Sequence, residues 1–520
     1  MTDGWQISRI GSLPLHLLLV GGLLVLNLLL CFVFMEQRAT AWDPLGYQVA
    51  GQAIARGLGP ITEHPFNGKY GPYFALAAFG VQNPLNPSQM YLNYPPGFPV
   101  LLAVPQWLGL PDYVMMPALS ALGLLGIYGL GRILFDKWTG LLGAAIAAFT
   151  PVYLEWGSSL WSDLPGMCFT TGALVVYLAA IRKPDRAWQI SLGAAAAVLA
   201  IMAVFIKYSN ILIVLPLTAY AIVTQRKALV RCMANGALAV TVAAGLMGVG
   251  LYNYAVYGSP FETFYAASRS GLNFPTFSLA YALGPSPADG YSLIGAGRTL
   301  WSNFTWLLAP AALGLWRSPR GAKMLLGMLF LVYLGLSSVF AWAPENVDTR
   351  YLLPLFPAVA LWAARGCLSI FDRRLPRSGW ALAGVLAAAA VTYAVALPST
   401  AQRLEQRNRS GLEIMAAMHN LTAGSERDAV FLAYLWNDAL NYFGERTTLF
   451  YRRINANDAD FEAMLTRVVA AMLRDGVPVY YVEDRQPSYR DSLRILQRAF
   501  HVSLWKNASF PIYRITSASG

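Results

Sequence analysis

Charge is what this chain has least of. Asp, Glu, Lys and Arg together make up 12% of the 520 residues, about half the share of an ordinary soluble domain. A water-exposed globule of this length is therefore excluded. Cysteine is also scarce: Cys31, Cys168, Cys232 and Cys367 are the only four, each falls in or beside an apolar run, and none has the spacing of a metal site or a disulfide framework. They read as small packing residues. No glycine-rich phosphate loop precedes a helix after residue 398, where the chain turns soluble in character, so a nucleotide-binding role there has little support. Nor is there a visible internal repeat of the kind that marks many transporters.

What is present is apolar. With 56% hydrophobic residues and a mean hydropathy of +0.45, the sequence is that of a polytopic α-helical membrane protein. Runs near 14–34, 113–132, 139–154, 164–181, 189–206, 209–224, 235–256, 299–316, 324–342, 351–368 and 379–397 each approach the length of a crossing, giving about eleven transmembrane helices. The net charge of +11 belongs to topology rather than to nucleic acid. Starting from a cytoplasmic N-terminus, every second connection is short and basic: Arg9; Arg132 and Lys137; Arg182, Lys183 and Arg186; Arg226, Lys227 and Arg231; Arg317, Arg320 and Lys323; Arg365, Arg373, Arg374 and Arg377. The intervening connections are longer and hold scattered cations, so they face outward. Met1–Pro14 shows no small-residue cleavage site, and the first run reads as an anchor. The expected location is the inner or plasma membrane. Trp and Tyr enrichment is mostly the interfacial belt.

Two outer segments exceed what a connector needs. The first, residues 35–112, has a helical stretch from Tyr47 to Arg56, a Gly/Pro/Asn-rich middle, and Tyr94-Pro95-Pro96-Gly97-Phe98-Pro99 leading into Val100–Leu110. That last run is short for a crossing and reads as an interfacial or re-entrant helix; counting it as a span would put the basic clusters outside. The second is residues 398–520, against 1–397 for the membrane module. Gln402–Leu421 and Phe461–Leu473 read as helices, Ala429–Ala433 and Val477–Val482 as strands, together a small extracytoplasmic α/β domain.

Acids and bases at the outer span ends are the candidates for chemistry. Asp43 precedes Pro44 just beyond the first span; Asp before Pro is a common helix start, and the same geometry holds a carboxylate rigidly. Asp163 opens another helix, after a loop that also carries Glu155, and acids there need a wet cavity or a cation. A carboxylate pair from different loops suits a general base with a positioning or metal-binding partner, and a divalent cation, magnesium or manganese, held by Asp43 and Asp163 is one option. Lys207 and Arg350, with Lys69 and Arg269 behind them, are candidates for a lipid phosphate; for Lys207 and Arg350 alike the alternative is snorkelling or pairing with a nearby acid, Glu345 or Asp348. His64 beside Glu63 reads as a surface residue sooner than as a metal ligand.

Five motifs occur in order: Asp43-x3-Tyr47; Tyr94-Pro95-Pro96-Gly97-Phe98-Pro99; Ser162-Asp163-Leu164-Pro165; Tyr252-Asn253-Tyr254 with Tyr257-Gly258-Ser259-Pro260-Phe261; and Asp348-Thr349-Arg350-Tyr351-Leu352-Leu353-Pro354. Over residues 14–397 this order resembles the GT-C integral-membrane glycosyltransferases, nearest the bacterial protein-mannosyltransferase and aminoarabinose-transferase-like branch. The resemblance implies transfer of a sugar, with inversion, from a polyprenyl-phosphate donor to a hydroxyl acceptor on a glycan, lipid or protein at the outer face. In it Asp43 is the base on the acceptor, Asp163 the second-loop acid, Lys207 and Arg350 the donor-phosphate ligands, and Tyr47, Tyr94, Glu155 and Tyr351 substrate contacts. Two positions depart from the pattern. Pro44 stands where many relatives have a second acid, and Tyr94 where the aminoarabinose transferases have a lysine before Pro-Pro. The rival classes are a transporter or flippase of a lipid-linked anion and a membrane-anchored assembly protein.

Overall fold

A computed structural model describes residues 14–39, 41–225, 232–261, 293–339, 349–371, 379–434, 436–451, 458–483 and 492–517. Eight helical segments among them are long and apolar enough to cross a membrane: Leu15–Val33, Asp112–Leu134, Asp163–Ala180, Arg186–Ile206, Tyr208–Gln225, Met233–Tyr257, Arg320–Val339 and Arg350–Ile370. These coincide with eight of the eleven apolar runs. The other three take different forms. Residues 139–154 divide into Lys137–Ala148 and Pro151–Gly157, because Pro151 has no amide hydrogen to continue the first helix. Residues 299–316 are interrupted at Thr305, whose φ is 41°. Residues 379–397 open a 44-residue helix, Gly379–Thr422, which passes the 397/398 boundary without a break. Among the basic clusters, Arg9, Arg226, Lys227, Arg231, Arg373, Arg374 and Arg377 lie outside the described residues, as do Glu345 and Asp348.

The first helix, α1 (Leu15–Val33), presents Leu18, Val25, Leu29 and Val33 outward. An apolar outer face of this kind needs lipid rather than water around it. Where two backbones must touch, glycine makes room. A Cβ on Gly314 would lie 1.8 Å from the Trp362 carbonyl oxygen, and one on Gly366 equally close to that of Pro310. Small residues at such crossings are how membrane helices gain packing without a hydrophobic driving force.

The long segment after α1 is more ordered than its Gly/Pro/Asn content suggested. It runs α2 (Trp42–Ala55), β1 (Ile61–Glu63), α3 (Pro65–Tyr70), β2 (Phe79–Gln82), β3 (Gln89–Leu92) and α4 (Gly97–Trp107). The strands form an antiparallel sheet in the order β1-β3-β2, with Ile61 opposite Tyr91 and Glu63 opposite Gln89. Gly46 lets α2 lie on this sheet, since a Cβ there would come 2.1 Å from the Ala78 Cβ. Eleven-residue α4 carries Pro105, ends at Trp107 and is followed by Gly109 with φ 73°. At about 1.5 Å per residue it is too short to cross a bilayer; α5 (Met115–Leu134) and α6 (Lys137–Ala148) follow it.

The C-terminal domain has a five-stranded sheet ordered β5-β4-β6-β8-β7: β4 (Val430–Ala433), β5 (Thr447–Phe450), β6 (Val479–Val482), β7 (His501–Asn507) and β8 (Pro511–Thr516). The β5, β4 and β6 strands pair in parallel and the β6-β8-β7 side is antiparallel. Both strands expected from sequence, 429–433 and 477–482, are there, and so are the two helices, Gly379–Thr422 and Asp458–Arg474. The long segment is docked on this domain. Tyr73 and Phe74 are part of its hydrophobic core, the Phe450 amide at the β5 edge donates to the Tyr73 carbonyl at 2.9 Å, and the Ala77 amide donates to buried Asp438 at 2.8 Å. The edge strand β5 is thus covered rather than left open for mispairing.

Candidate functional site

Two arms meet in one cavity of about 570 Å³ whose lining includes Asp43, Tyr47, Tyr94, Trp161, Asp163, Lys207, Asn210, Tyr333, Arg350 and Tyr351. The first arm is the start of α2. Its N-cap is Ala41, and no side chain caps it. Asp43, in the first turn, turns instead to Tyr94, whose hydroxyl donates to Asp43 Oδ1 at 2.5 Å. Tyr47, one turn on and on the same helix face, tilts against Tyr94 at 5.3 Å and meets Phe98 edge-on at 5.1 Å. The Tyr-Pro-Pro-Gly-Phe-Pro motif therefore serves as the wall that fixes Asp43. Burial pushes the Asp43 carboxyl above the usual carboxylate range. The Tyr94 hydrogen bond and the Arg350 charge oppose that rise, Asp163 adds to it, and Lys207 opposes it.

The second arm is the turn between α7 (Pro151–Gly157) and α8 (Asp163–Ala180). Asp163 is the first helical residue, behind Ser162, which makes no side-chain cap bond. Its carboxylate is occupied by cations: Lys207 Nζ is on Oδ1, and Arg350 Nε lies 3.8 Å from Oδ2. Lys207 arrives from the point where α9 (Arg186–Ile206) gives way to the 3-10 segment Tyr208–Ile213. Arg350 comes from the 3-10 turn Thr349–Leu355. Its guanidinium lies 3.5 Å above the Trp161 ring and 4.9 Å from that of Tyr351, and Nη2 donates to the Tyr351 hydroxyl at 3.1 Å. Lys207 Nζ sits 4.1 Å over the same Tyr351 ring. Side-chain exposure is 4% for Asp163, 7% for Arg350 and 27% for Lys207, so Lys207 is the cation most open to an incoming ligand.

A hydrogen-bonded pair in the cavity lining packs against the second arm. Tyr333 donates to Asn210 Oδ1 at 3.1 Å, and Asn210 Nδ2 donates to the Ala203 carbonyl at 2.9 Å. Asn210 comes that close because position 166 has no side chain: a Cβ on Gly166 would be 2.6 Å from its Nδ2.

Seven of the residues singled out from sequence, Asp43, Asp163, Lys207, Arg350, Tyr47, Tyr94 and Tyr351, share the cavity. Glu155 is not in its lining; its carboxylate lies 4.0 Å from Arg403 of the 44-residue helix. Lys69 is engaged elsewhere too, 2.8 Å from Asp475 of the C-terminal domain. Arg269 lies outside the described residues. His64 caps α3, accepting from the Phe66 amide at 3.2 Å, and its Nε2 is 3.0 Å from Thr447. Among the described residues no three His, Cys, Asp or Glu side chains cluster as a metal site. The pair Asp43 and Asp163 fits a divalent cation poorly, because both Asp163 oxygens already face positive side chains. Sequence reasoning missed Trp161, Asn210 and Tyr333 as site residues. Trp161 stood two residues before Asp163, but Tyr333 sits inside an apolar span and carried no signal.

Residues 111–250 match the family model described as dolichyl-phosphate-mannose-protein mannosyltransferase. Asp163 and Lys207 fall within that stretch; Asp43 and Arg350 do not. No curated protein is a significant match in sequence. Among solved structures, the chain is similar to ArnT from Cupriavidus metallidurans bound to undecaprenyl phosphate, at 14% identity and a TM-score of 0.61, over 96% of this chain and 98% of that one. It is also similar to the Archaeoglobus fulgidus oligosaccharyltransferase AglB in complex with an inhibitory peptide and a dolichol-phosphate, at 12% identity and a TM-score of 0.56, over 97% of this chain and 74% of that one. The chain shares its fold with these two structures: a polytopic helical membrane protein with a C-terminal strand-containing domain.

Proposed function

We propose that this chain is an inverting membrane glycosyltransferase that moves a sugar from a polyprenyl-phosphate donor to a hydroxyl acceptor on a glycan, lipid or protein at the outer face of the membrane. The observation that carries the reading is one cavity in which a carboxylate of raised pKa, Asp43, faces a cation pair, Lys207 and Arg350. Both relatives described above were solved with a polyprenyl-type phosphate, which supports a lipid-linked donor.

The cavity divides the reaction between its arms. The acceptor hydroxyl gives its proton to Asp43 as its oxygen forms a bond to the anomeric carbon. On the opposite face the bond from that carbon to the phosphate oxygen breaks, and the electron pair leaves with the lipid phosphate. Lys207 and Arg350 hold the charge of that leaving group. Arg350 is planar and pinned between Trp161 and Tyr351, so little reorganisation is needed at the moment of reaction. Asp163 positions both cations. The charge on the leaving group is met by side chains, and no step needs a metal held by Asp43 and Asp163.

The test is Asp43→Asn in the full-length protein. Transfer to acceptor falls by about 100-fold or more, while undecaprenyl phosphate, held by Lys207 and Arg350, binds at least as tightly as to wild type, because the variant removes a negative charge that faces those cations. Wild-type glycan products from cells carrying normal amounts of the variant would defeat the enzyme reading and favour a transporter or an assembly protein.

A further inference from the structure

The two acid-bearing arms touch through the Tyr47 and Ser162 hydroxyls at 3.4 Å, a neutral contact that needs a further anchor to fix the separation of Asp43 from Asp163. That anchor is present on the side away from the cavity. The chain leaving α1 passes through Phe34, Met35 and Glu36 and reaches Asp43 seven residues later. The turn after α7 passes through Ser158, Ser159 and Leu160 and reaches Asp163 three residues later. Glu36 ties the two together: its amide donates to the Ser158 carbonyl at 2.8 Å, and its Oε2 accepts from the Leu160 amide at 3.2 Å. The Glu36 side chain is buried.

Arg407 closes the junction from the 44-residue helix Gly379–Thr422. Its Nη2 donates to the Phe34 and Ser158 carbonyls, at 3.1 Å each, and its Nη1 donates to Ser159 Oγ. Its charge acts on Glu36 and on Glu155. The next residue, Asn408, donates to the Phe34 and Met35 carbonyls at 3.4 and 3.2 Å. A planar guanidinium is the side chain that can reach three acceptors on two separate segments at once. The same helix continues to Thr422, whose hydroxyl donates to the Gly444 carbonyl in the C-terminal domain at 3.1 Å.

We infer that Arg407, with Glu36 and Asn408, is the clamp that sets the spacing between the Asp43 and Asp163 arms, and that through it the C-terminal domain controls the geometry of the cavity. These are positioning residues. Arg407 touches neither Asp43 nor Asp163; it holds the turn that puts Trp161 under Arg350. The clamp rests on the functional reading above only in its consequence for lipid-phosphate binding.

Two measurements on purified full-length protein in detergent test it. The first is amide hydrogen exchange, which needs no functional assumption. In Arg407→Gln, the segments 34–39 and 157–163 exchange about tenfold faster, because both lose charge-assisted bonds to one group, while the membrane helices keep wild-type protection. The milder variants Ser159→Ala and Asn408→Ala each loosen one segment more than the other, and they serve if Arg407→Gln folds poorly. The second is binding of undecaprenyl phosphate, expected to weaken about threefold to tenfold in Arg407→Gln and no further in the Glu36→Gln, Arg407→Gln double variant, as members of one unit behave. Wild-type exchange in both segments of Arg407→Gln would overturn the clamp whatever the binding shows. Lipid-phosphate binding that is insensitive to Arg350→Gln would instead remove the phosphate reading and leave the exchange result to decide the clamp.

Discussion

Asp163→Asn separates a carboxylate that positions cations from one that does chemistry or holds a metal. At the 3.8 Å between Arg350 Nε and Asp163 Oδ2, two unit charges attract by about 4 kcal/mol at an effective permittivity near 20. The Lys207 contact is closer, but its side chain is 27% exposed and the pair is correspondingly screened. Removing the shared anion leaves two cations facing each other, held by the Trp161 and Tyr351 rings at about 1–2 kcal/mol per cation–π contact. The unliganded variant should lose about 3–5 kcal/mol, the usual cost of breaking one side of a buried pair, read as a lower Tm by several degrees. An anionic lipid then supplies the missing charge. Undecaprenyl phosphate should bind the variant about tenfold more tightly than wild type, which takes up roughly a third of the Coulomb term, and should restore much of the lost Tm. Titration by calorimetry together with thermal unfolding, with and without the lipid, measures both. Weaker binding by Asp163→Asn would refute the reasoning, because a carboxylate that reaches the phosphate through a metal loses affinity when its charge is removed, whereas one that only neutralises the cations gains it.

Tyr94→Phe deletes the hydrogen bond that favours ionised Asp43. The carboxyl pKa then rises further, and since the base must be deprotonated, the acid limb of kcat/KM moves to higher pH; an unmoved limb would dissociate Asp43 from the rate. Lys69→Ala breaks an exposed contact to Asp475 far from the cavity, so transfer rate and lipid-phosphate affinity stay at wild-type values. A loss of affinity in Lys69→Ala would return Lys69 to the phosphate site.

How much of this was legible depends on which physics wrote each part. Hydropathy and the bias of Lys and Arg located eight spans, since lipid leaves a chain few ways to satisfy its backbone. The same signal failed at Pro151 and Thr305, where a local backbone event divides an apolar run. The strands β2 and β3 hid in a Gly/Pro/Asn-rich stretch because they are four residues each, too short for a period of two to show. In the cavity, Asp43, Asp163, Lys207 and Arg350 were readable because charge at a span end demands a reason. Which charge paired with which was not. Arg350 was weighed against Glu345 and Asp348, its near neighbours in sequence, whereas its described partner is Asp163, 187 positions away. Glu36 and Arg407 left no trace as a pair, because a clamp between loops depends on tertiary approach and not on any local pattern.

The charge balance of the cavity carries one further consequence. Its ionisable lining is Asp43 and Asp163 against Lys207 and Arg350, formally neutral when empty. A lysine at position 94 would add a cation against Asp43 and hold its carboxyl down, making it a poorer base. Tyr94 supplies orientation through one hydrogen bond with no added charge. When a lipid phosphate engages Lys207 and Arg350, the two positive fields that lower the Asp43 pKa are compensated. The carboxyl is then pushed higher still by burial and by the extra negative charge, so the base strengthens once the donor is in place. The acid limb of kcat, which reports the complex, should therefore lie at higher pH than the acid limb of kcat/KM for the lipid donor, which reports the free enzyme. Full pH–rate profiles at saturating and limiting donor measure the two limbs. Limbs that coincide, or that fall in the reverse order, would mean that the phosphate does not sit on the cations that face Asp43.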